Sequence, residues 1–370
     1  MRPLEGLRVL DFTTLLPGPL CTLVLAEAGA EVIKIERPGR GDEMRTYLPK
    51  FGVDSVNFAL LNRGKRSVAI DLKAPRAVDR LRPLLETADV VIEQFRPGVM
   101  DRLGLGYAAL SEIQPRVVYC SLTGYGQTGP NSAIAAHDLN YAAETGLLGI
   151  AAGSDGAPVV PAALVADIGG GSFPAVINVL LALQRRARTG QGCHLDVAMS
   201  DNLFTFMYWG LGNGFAAGRW PRPGRELVSG GSPRYQIYRT ADDRFVAAAP
   251  LEEQFWTRFC ELIALPEPWR DDARDPAGTR QAVAERIRSA SAEEWRARFA
   301  GQDVCCSIVA TLEEAVENAH FRARGLFERT VTADGRRIPA LPLPLAAEFR
   351  APEPAATHPA LGEANALLGE

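Results

Sequence analysis

Two side chains are the strongest candidates for proton chemistry. His137, one of four histidines in 370 residues, sits among alanines in "AAHDLNYAAETG" (135–146), and Asp167 precedes three glycines in "ADIGGG" (166–171). Imidazole changes charge near neutral pH and serves as either acid or base. A carboxylic acid can donate in that range only where its site raises its pKa, as partial burial does. Each has a plainer reading. An isolated histidine is more often a hydrogen-bonded structural residue, and Asp167 could be an N-cap, because free N–H groups at a helix start favour negative charge. Gly169, Gly170 and Gly171 weigh against a simple cap. Glycine weakens a helix by about 1 kcal/mol relative to alanine, so three in a first turn predict a close approach to the backbone. Their N–H groups are then candidates to receive the charge of an enolate oxygen.

A second set of residues is cationic. Arg37, Arg63, Lys65, Arg66, Lys73, Arg96 and Arg102 fall at or just beyond the ends of strand-like runs, although the chain carries a net charge of −4. Forked guanidinium groups match phosphate oxygens, so a ligand with several phosphates would suit them. The alternative is that they merely solubilise the surface. With no overall basic field, an anion site must be local, and nucleic acid is not an expected partner.

The elements that would position these residues alternate along the first half. "LRVLDF" (7–12), "EVIKIE" (31–36), "SVAIDL" (67–72), "DVVIEQF" (89–95) and "RVVYCSL" (116–122) read as strands. Helical runs at 17–30, 75–88 and 99–113 lie between them. Strands alternating with helices predict an α/β fold with a doubly wound parallel sheet, Rossmann-like, in which ligands gather at the carboxyl ends of the strands. Those ends are "TTLLPGP", "ERPGRGD", "RPG" (96–98) and "TGYGQTGP" (123–130). Beyond them, 196–217 reads as one long apolar helix and 218–233, rich in Gly, Pro and Arg, as a linker. A hairpin follows at 234–250 and helices through 300; the tail at 349–360 is proline-rich and extended. The expected division is 1–195 together with 326–370 as a large domain, 196–225 as a linking helix and loop, and 226–325 as a smaller α+β domain.

Several classes are excluded. The turn after the first strand lacks GxGxxG, so a dinucleotide-dependent dehydrogenase is not indicated even with Glu36 at the end of strand two. The six cysteines show no CxxC spacing and read as core thiols of a reducing compartment, not a metal cage. "MRPLEGLRVLDF" has no signal-like pattern, and "FPAVINVLLAL" (173–183) is too short for a bilayer, so no membrane partner and a cytoplasmic location are expected.

In order along the chain, "GAEVIKIERPGRGD", "NRGKRSVAIDLK", "ADVVIEQFRPGVMDRLGLG", "SLTGYGQTGP", "AHDLNY" and "ADIGGG" resemble the family III CoA-transferases (the CaiB/BaiF type). The pairing of "AHDLNY" with "ADIGGG", supported by "GGSPRYQIYRTADDRFVAAAPLEEQFW" and "GQDVCCSIVATLEEA", is similar to the α-methylacyl-CoA racemase branch. The resemblance implies that His137 and Asp167 are the two acid/base groups and that Glu252, or its neighbour Glu253, orients His137. It maps CoA contacts to Arg37, to Ile70, Asp71, Leu72 and Lys73, and to Gln94, Phe95 and Arg96. Arg102, Ala136, Asp138, Leu139, Asn140 and Tyr141 complete the set. It also implies an interlocked homodimer, an acyl-CoA thioester as substrate, no cofactor beyond the CoA moiety of that substrate, and no metal. One departure is visible: racemases usually have Gly before the histidine, and Ala136 adds a methyl there.

Two chemistries are open at this point. In the first, an acyl-CoA epimerase inverts the α-carbon of a 2-methylacyl-CoA by proton transfer through an enolate, using both His137 and Asp167. In the second, a CoA-transferase uses Asp167 as the nucleophile that forms a mixed anhydride, and the histidine is dispensable. A non-catalytic acyl-CoA-binding protein is the third reading.

Overall fold

In the computed structural model, which describes residues 2–153, 155–353 and 355–370, the chain forms two compact units. The larger comprises 1–145, 161–206 and 319–370; the smaller comprises 146–160 and 207–318. The boundaries differ from the sequence expectation in three places. Residues 146–160 go with the smaller unit, the larger one continues through Phe206, and the C-terminal return begins at Ala319.

The larger unit is built on six strands: β1 (Arg8–Phe12), β2 (Glu31–Glu36), β3 (Arg66–Ala69), β4 (Val90–Glu93), β5 (Val118–Thr123) and β6 (Cys193–Ala198). They lie in the order β3-β2-β1-β4-β5-β6, every neighbouring pair parallel. That is the 3-2-1-4-5-6 order of a doubly wound sheet, which places the reversal of strand order between β1 and β4. The inner strands are buried on both faces, which explains why they read as near-continuous apolar runs. The sixth strand replaces the start of the long helix expected from residue 196. "CHLDVA" alternates half-buried and exposed residues over its first four positions, the pattern of an edge strand, before Val197 and Ala198 turn buried. The expected helix itself is divided into α-helical Met199–Leu203, a 3-10 turn Phe204–Met207 and α-helical Tyr208–Ala217, which opens the smaller unit.

Helix α1 (Pro17–Glu27) follows β1 and is buried throughout. The run expected as one helix at 99–113 is divided into α2 (Val99–Arg102) and α3 (Tyr107–Ile113) around Gly104, whose φ is +71°. Helix α4 (Asp138–Glu144) begins immediately after His137. The next long helix begins as a π-helical stretch, Ala166–Ser172, and continues as α5 (Phe173–Thr189). The glycines of that stretch are explained by packing. A Cβ on Gly169 would stand 2.7 Å from the Phe206 ring, and one on Gly170 would stand 2.4 Å from the Met199 carbonyl oxygen. The close approach predicted by the sequence is therefore made by the chain's own 199–206 segment. A wound helix also commits its N–H groups to carbonyls of the preceding turn, so the free glycine N–H donors expected for an enolate are not what the glycines provide.

The same winding corrects the apolar-length estimate. Ala166–Thr189 spans 24 residues with mean hydropathy 1.5 in its most apolar window, long and apolar enough to cross a membrane by length and composition. In this fold Gly170, Gly171, Ala175, Val179 and Ala182 face the core. The extended tail contains a short strand, Ala355–Thr357, pairing in parallel with Thr330–Ala333; Pro354 lies outside the described residues.

The smaller unit carries an antiparallel sheet of Gln236–Arg239, Phe245–Ala248 and Cys306–Ile308, with helices Glu253–Leu262, Pro276–Ile287 and Ala292–Phe299. The hairpin expected at 234–250 is its first pair. Trp256, Phe259 and Trp295 anchor its core. The cysteines are all free; Cys21, Cys120 and Cys260 are buried, and Cys305 is exposed.

The glycine contacts predict a measurable cost. Gly170→Ala places a methyl against backbone that cannot swing aside, so a loss of roughly 1–3 kcal/mol is expected in chemical denaturation. Gly212→Ala, with no atom within 4 Å of its added Cβ, should cost nothing of the kind and serves as the comparison.

Candidate active site

The first βα turn rests on buried charge. Lys34 and Asp42, both fully buried, pair at 2.9 Å, and the Lys34 ammonium also donates to the Thr13 carbonyl at 2.7 Å. Beside them Lys65 pairs with Asp11 at 3.2 Å and donates to the Pro19 carbonyl, the Thr22 hydroxyl and the Asn62 side-chain oxygen. Burial would raise the Asp11 carboxyl, but the charges of Lys34 and Lys65 and the Thr13 and Thr22 hydroxyls hold it well below the usual range. Burial lowers Lys65 to about 8 against the pull of Asp11. These bonds fix the turn containing Leu15, whose φ of +63° is left-handed and whose N–H donates to Asp42. They also remove two of the expected anion-binding cations. Lys65 is committed to Asp11, and buried Arg63 donates to the Leu341 carbonyl near Glu27. Arg66 pairs with Glu31. Glu36, considered as a ribose ligand, is buried against Arg45.

Across the strand-order reversal, Gly18 N–H at the start of α1 donates to the Gln94 side-chain oxygen just after β4, at 3.1 Å. A cavity of about 390 Å³ opens there, at the carboxyl ends of β1, β4 and β5. Its walls are Leu15 and Pro17, the strip Gln94–Pro97, residues Leu122–Tyr125, and Ala135–His137 with Asn140 and Tyr141. Ser132, Ile134, Asp167 and Met199 complete it. His137 and Asp167, separated by thirty positions in the chain, thus line one cavity. A larger cavity of about 740 Å³ lies wholly in the smaller unit, lined by glycines, Arg225 and Arg280. No His, Asp or Glu lines it, so the smaller cavity at the switch point is the candidate site.

His137 stands at the N-cap position of α4, where its N–H donates to the Asn140 side-chain oxygen at 3.0 Å. The exposed imidazole is thus presented on a fixed backbone. Asp167 is half-buried, and its carboxyl is pushed up to about 6, first by burial, then by the charge of Asp138, with His137 pulling the other way. Asp167 is not the cap it resembled in the sequence. Asp138 takes that role: its Oδ1 accepts from the N–H groups of Ala166 and Asp167 at 2.7 and 2.9 Å. The Tyr141 hydroxyl, pushed up to about 12 by burial and the nearby Asp167, donates to the Ala136 carbonyl at 2.8 Å.

Of the residues mapped to CoA, the cavity brings together Gln94, Phe95, Arg96, Ala136, Asn140 and Tyr141. The others lie apart from it. Ile70 is in the hydrophobic core with Leu72 packed on its edge, and Asp138 is buried as the cap. Arg37, Asp71, Lys73, Arg102 and Leu139 are exposed outside it. Glu252 is exposed at the start of helix Glu253–Leu262 in the smaller unit, while Glu253 pairs with Arg234 at 2.8 Å. Of the two glutamates, Glu252 is therefore the one not held in an ion pair. Leu15, Tyr125, Ile134 and Met199 were not anticipated; the quoted strand ends "TTLLPGP" and "TGYGQTGP" were the available signal for the first two. Among the described residues no group of three His, Cys, Asp or Glu side chains is arranged to hold a metal ion.

Comparison with known proteins identifies the family. The family model "CoA-transferase family III" matches residues 4–365. The chain is 35% identical to the mouse (Mus musculus) alpha-methylacyl-CoA racemase over 365 residues, 97% of this chain and 91% of that protein. It is 34% identical to the mouse succinyl-CoA:glutarate CoA-transferase over 340 residues, 88% of this chain and 76% of the other. Among solved structures, a CaiB/BaiF family protein from Brucella suis superposes with a TM-score of 0.84 at 29% identity, covering 99% and 98% of the two chains. With its whole length matched and its two candidate proton-transfer groups in one cavity, the chain belongs to CoA-transferase family III.

Proposed function

We propose that this protein is an acyl-CoA epimerase that inverts the α-carbon of a 2-methylacyl-CoA by moving protons through His137 and Asp167. The observation that carries the reading is one cavity lined by both an imidazole and a carboxyl raised to about 6. A proton α to a thioester is weakly acidic. One group takes it, leaving an enolate, and the other returns a proton to the opposite face. A carboxyl that titrates near 6 is about nine-tenths ionised at pH 7 and still holds a usable population of the acid form. It can therefore exchange roles with an imidazole as the substrate runs in either direction. Arg96 is proposed as a contact to the CoA phosphates.

The same carboxyl supports a second reading. Mostly ionised at neutral pH, Asp167 could attack the thioester carbonyl, expel CoA thiolate and form a mixed anhydride, which an acceptor acid then opens. Relatives of similar identity include both kinds of enzyme. Incubation with a 2-methylacyl-CoA in heavy water separates the two. Deuterium uptake at the α-carbon without an acceptor acid is the expected result. Thioester exchange that requires the acceptor, without uptake, would establish the transferase.

Three outcomes are expected of the epimerase. His137→Ala should lower the exchange rate by about 10²–10⁴-fold, the usual worth of a positioned acid or base; unchanged exchange moves the assignment to the transferase. Asp167→Asn should remove activity under either chemistry. In the direction where Asp167 is the base, kcat should fall as pH drops through about 6, because the ionised form is lost there; a profile flat from 5 to 8 contradicts that role.

The homodimer is also proposed. On α5, Ile177, Leu180 and Leu181 are 56%, 42% and 63% exposed at i, i+3, i+4 spacing, one stripe of a helix face. A second copy is the proposed cover. Ile177→Glu with Leu181→Glu should halve the mass measured by light scattering; a wild-type chain already monomeric at micromolar concentration refutes it.

A further inference from the structure

Beneath the cavity wall is an acid that the chemistry above does not use. Glu93 closes β4 and is 4% exposed, yet it stands immediately before Gln94, Phe95 and Arg96, the strip that lines the cavity. Its Oε2 accepts from the Phe95 N–H at 2.8 Å, so the carboxyl holds the backbone of that strip. It is also hydrogen-bonded to Ser121 on the neighbouring strand β5. The Ser121 hydroxyl, itself buried, lies 2.9 Å from Nε2 of His194 on the edge strand β6. His194 is exposed and stacks on Tyr107 at 5.4 Å. A continuous hydrogen-bond chain thus runs from the cavity wall to solvent at the sheet edge.

We infer that Glu93 is a positioning residue for the Gln94–Arg96 wall and that the Ser121–His194 chain is the path by which it gains and loses its proton. The groups that face it bear this out. From α2 comes Asp101 and from β6 Asp196, both acidic, and from β5 Tyr119 and Cys120, neither of which is charged near neutral pH. Burial, with these negative neighbours, pushes the Glu93 carboxyl up to about 7 against the bonds from Ser121 and Phe95. Proton movement balances at every atom. With Glu93 ionised, Ser121 O–H donates to it and His194 Nε2–H donates to the Ser121 oxygen. When a doubly protonated His194 passes its Nε2 proton to Ser121, Ser121 passes its own to Glu93. His194 is left neutral with its proton on Nδ1, and each bond of the chain survives reversed. The consequence at the wall is graded. A carboxylate accepts the Phe95 N–H through a charge-assisted bond, roughly twice the strength of the bond to a neutral carboxyl. The wall should therefore be held more firmly above pH 7 than below it.

The backbone amide of Phe95 reports this with no ligand present. In protein labelled with 15N-phenylalanine, its resonance (assigned with Phe95→Leu) should titrate with a midpoint near 7. Glu93→Gln, which keeps an accepting oxygen but cannot ionise, should abolish that titration. Ser121→Ala removes a bond favouring the carboxylate and should move the midpoint upward. A Phe95 amide that does not titrate between pH 6 and 8, or that titrates equally in Glu93→Gln, overturns the inference. The functional arm rests on the acyl-CoA reading of the cavity and uses coenzyme A as probe, with affinity measured by calorimetry. Wild type and Glu93→Gln should bind alike at pH 6, and wild type should bind about three- to tenfold tighter at pH 8. Comparing the two proteins at each pH cancels the titration of Asp167. Equal affinities at both values refute the positioning role. No binding of coenzyme A by wild type at any pH refutes the acyl-CoA reading instead, and the amide titration still decides Glu93.

Discussion

The site depends on a pair of lysines taken out of water. Lys34 and Lys65 are fully exposure-free, each against an aspartate, Asp42 and Asp11, equally buried. Removing one ion from water costs several kcal/mol even after relaxation, and the attraction repays this only when the remaining donors and acceptors are filled. Here they are filled by the turn itself: the carbonyls of Thr13 and Pro19 and the hydroxyls of Thr13 and Thr22. The network holds an unusual path between β1 and α1, including a leucine in left-handed conformation. Dinucleotide-binding sheets shape this turn with glycines so that a pyrophosphate can sit on the helix start. In this chain the turn is filled with charge from below, and Gly18 N–H at that start is taken by Gln94. The switch point is kept open as a cavity while its phosphate cradle is absent. That is the physical reason a doubly wound sheet here does not imply a dinucleotide.

Much of this was legible in the sequence. Five of the six parallel strands declare themselves because strands buried on both faces must be apolar throughout, and the alternation with helices dictates parallel pairing. That His137 and Asp167 line one cavity was not legible from residue types alone, since an isolated histidine is more often structural; the resemblance is what paired them. The sixth strand was hidden because an edge strand is half-polar, and "CHLDVA" runs into an apolar segment that shares no boundary signal with it. The glycines misled for a different reason. They correctly announced a close approach, but a sequence cannot say whether the visitor is a ligand or, as here, Met199 and Phe206. Positive charge was the least legible feature: Lys65 and Arg63 look like surface cations until the fold buries them beside Asp11 and Glu27.

Asp138 bears on both position and charge at the cavity. The resemblance placed it among ligand contacts, yet its carboxylate is spent on the N–H groups of Ala166 and Asp167. A cap of this kind contributes about 0.5–2 kcal/mol. It does more than start a helix, because the capped residue is Asp167, which lines the cavity. The bond to Asp167 N–H fixes where that backbone sits relative to α4, which carries His137 at its head. The charge of the same carboxylate is the second cause, after burial, of the raised Asp167 carboxyl. Holding a proton near pH 6 that an ordinary aspartate releases near 3.8 represents at most about 3 kcal/mol of environment, less the screening its open side admits. One buried acid therefore holds its neighbour's backbone and adds to the effect of burial on its proton affinity. A substitution that kept the cap but removed the charge would leave the geometry and lower the Asp167 carboxyl, while burial, the larger cause, would still raise it. Such a residue still suits nucleophilic attack. Burial first and the charge of Asp138 second therefore keep the protonated form of Asp167 within reach of neutral pH.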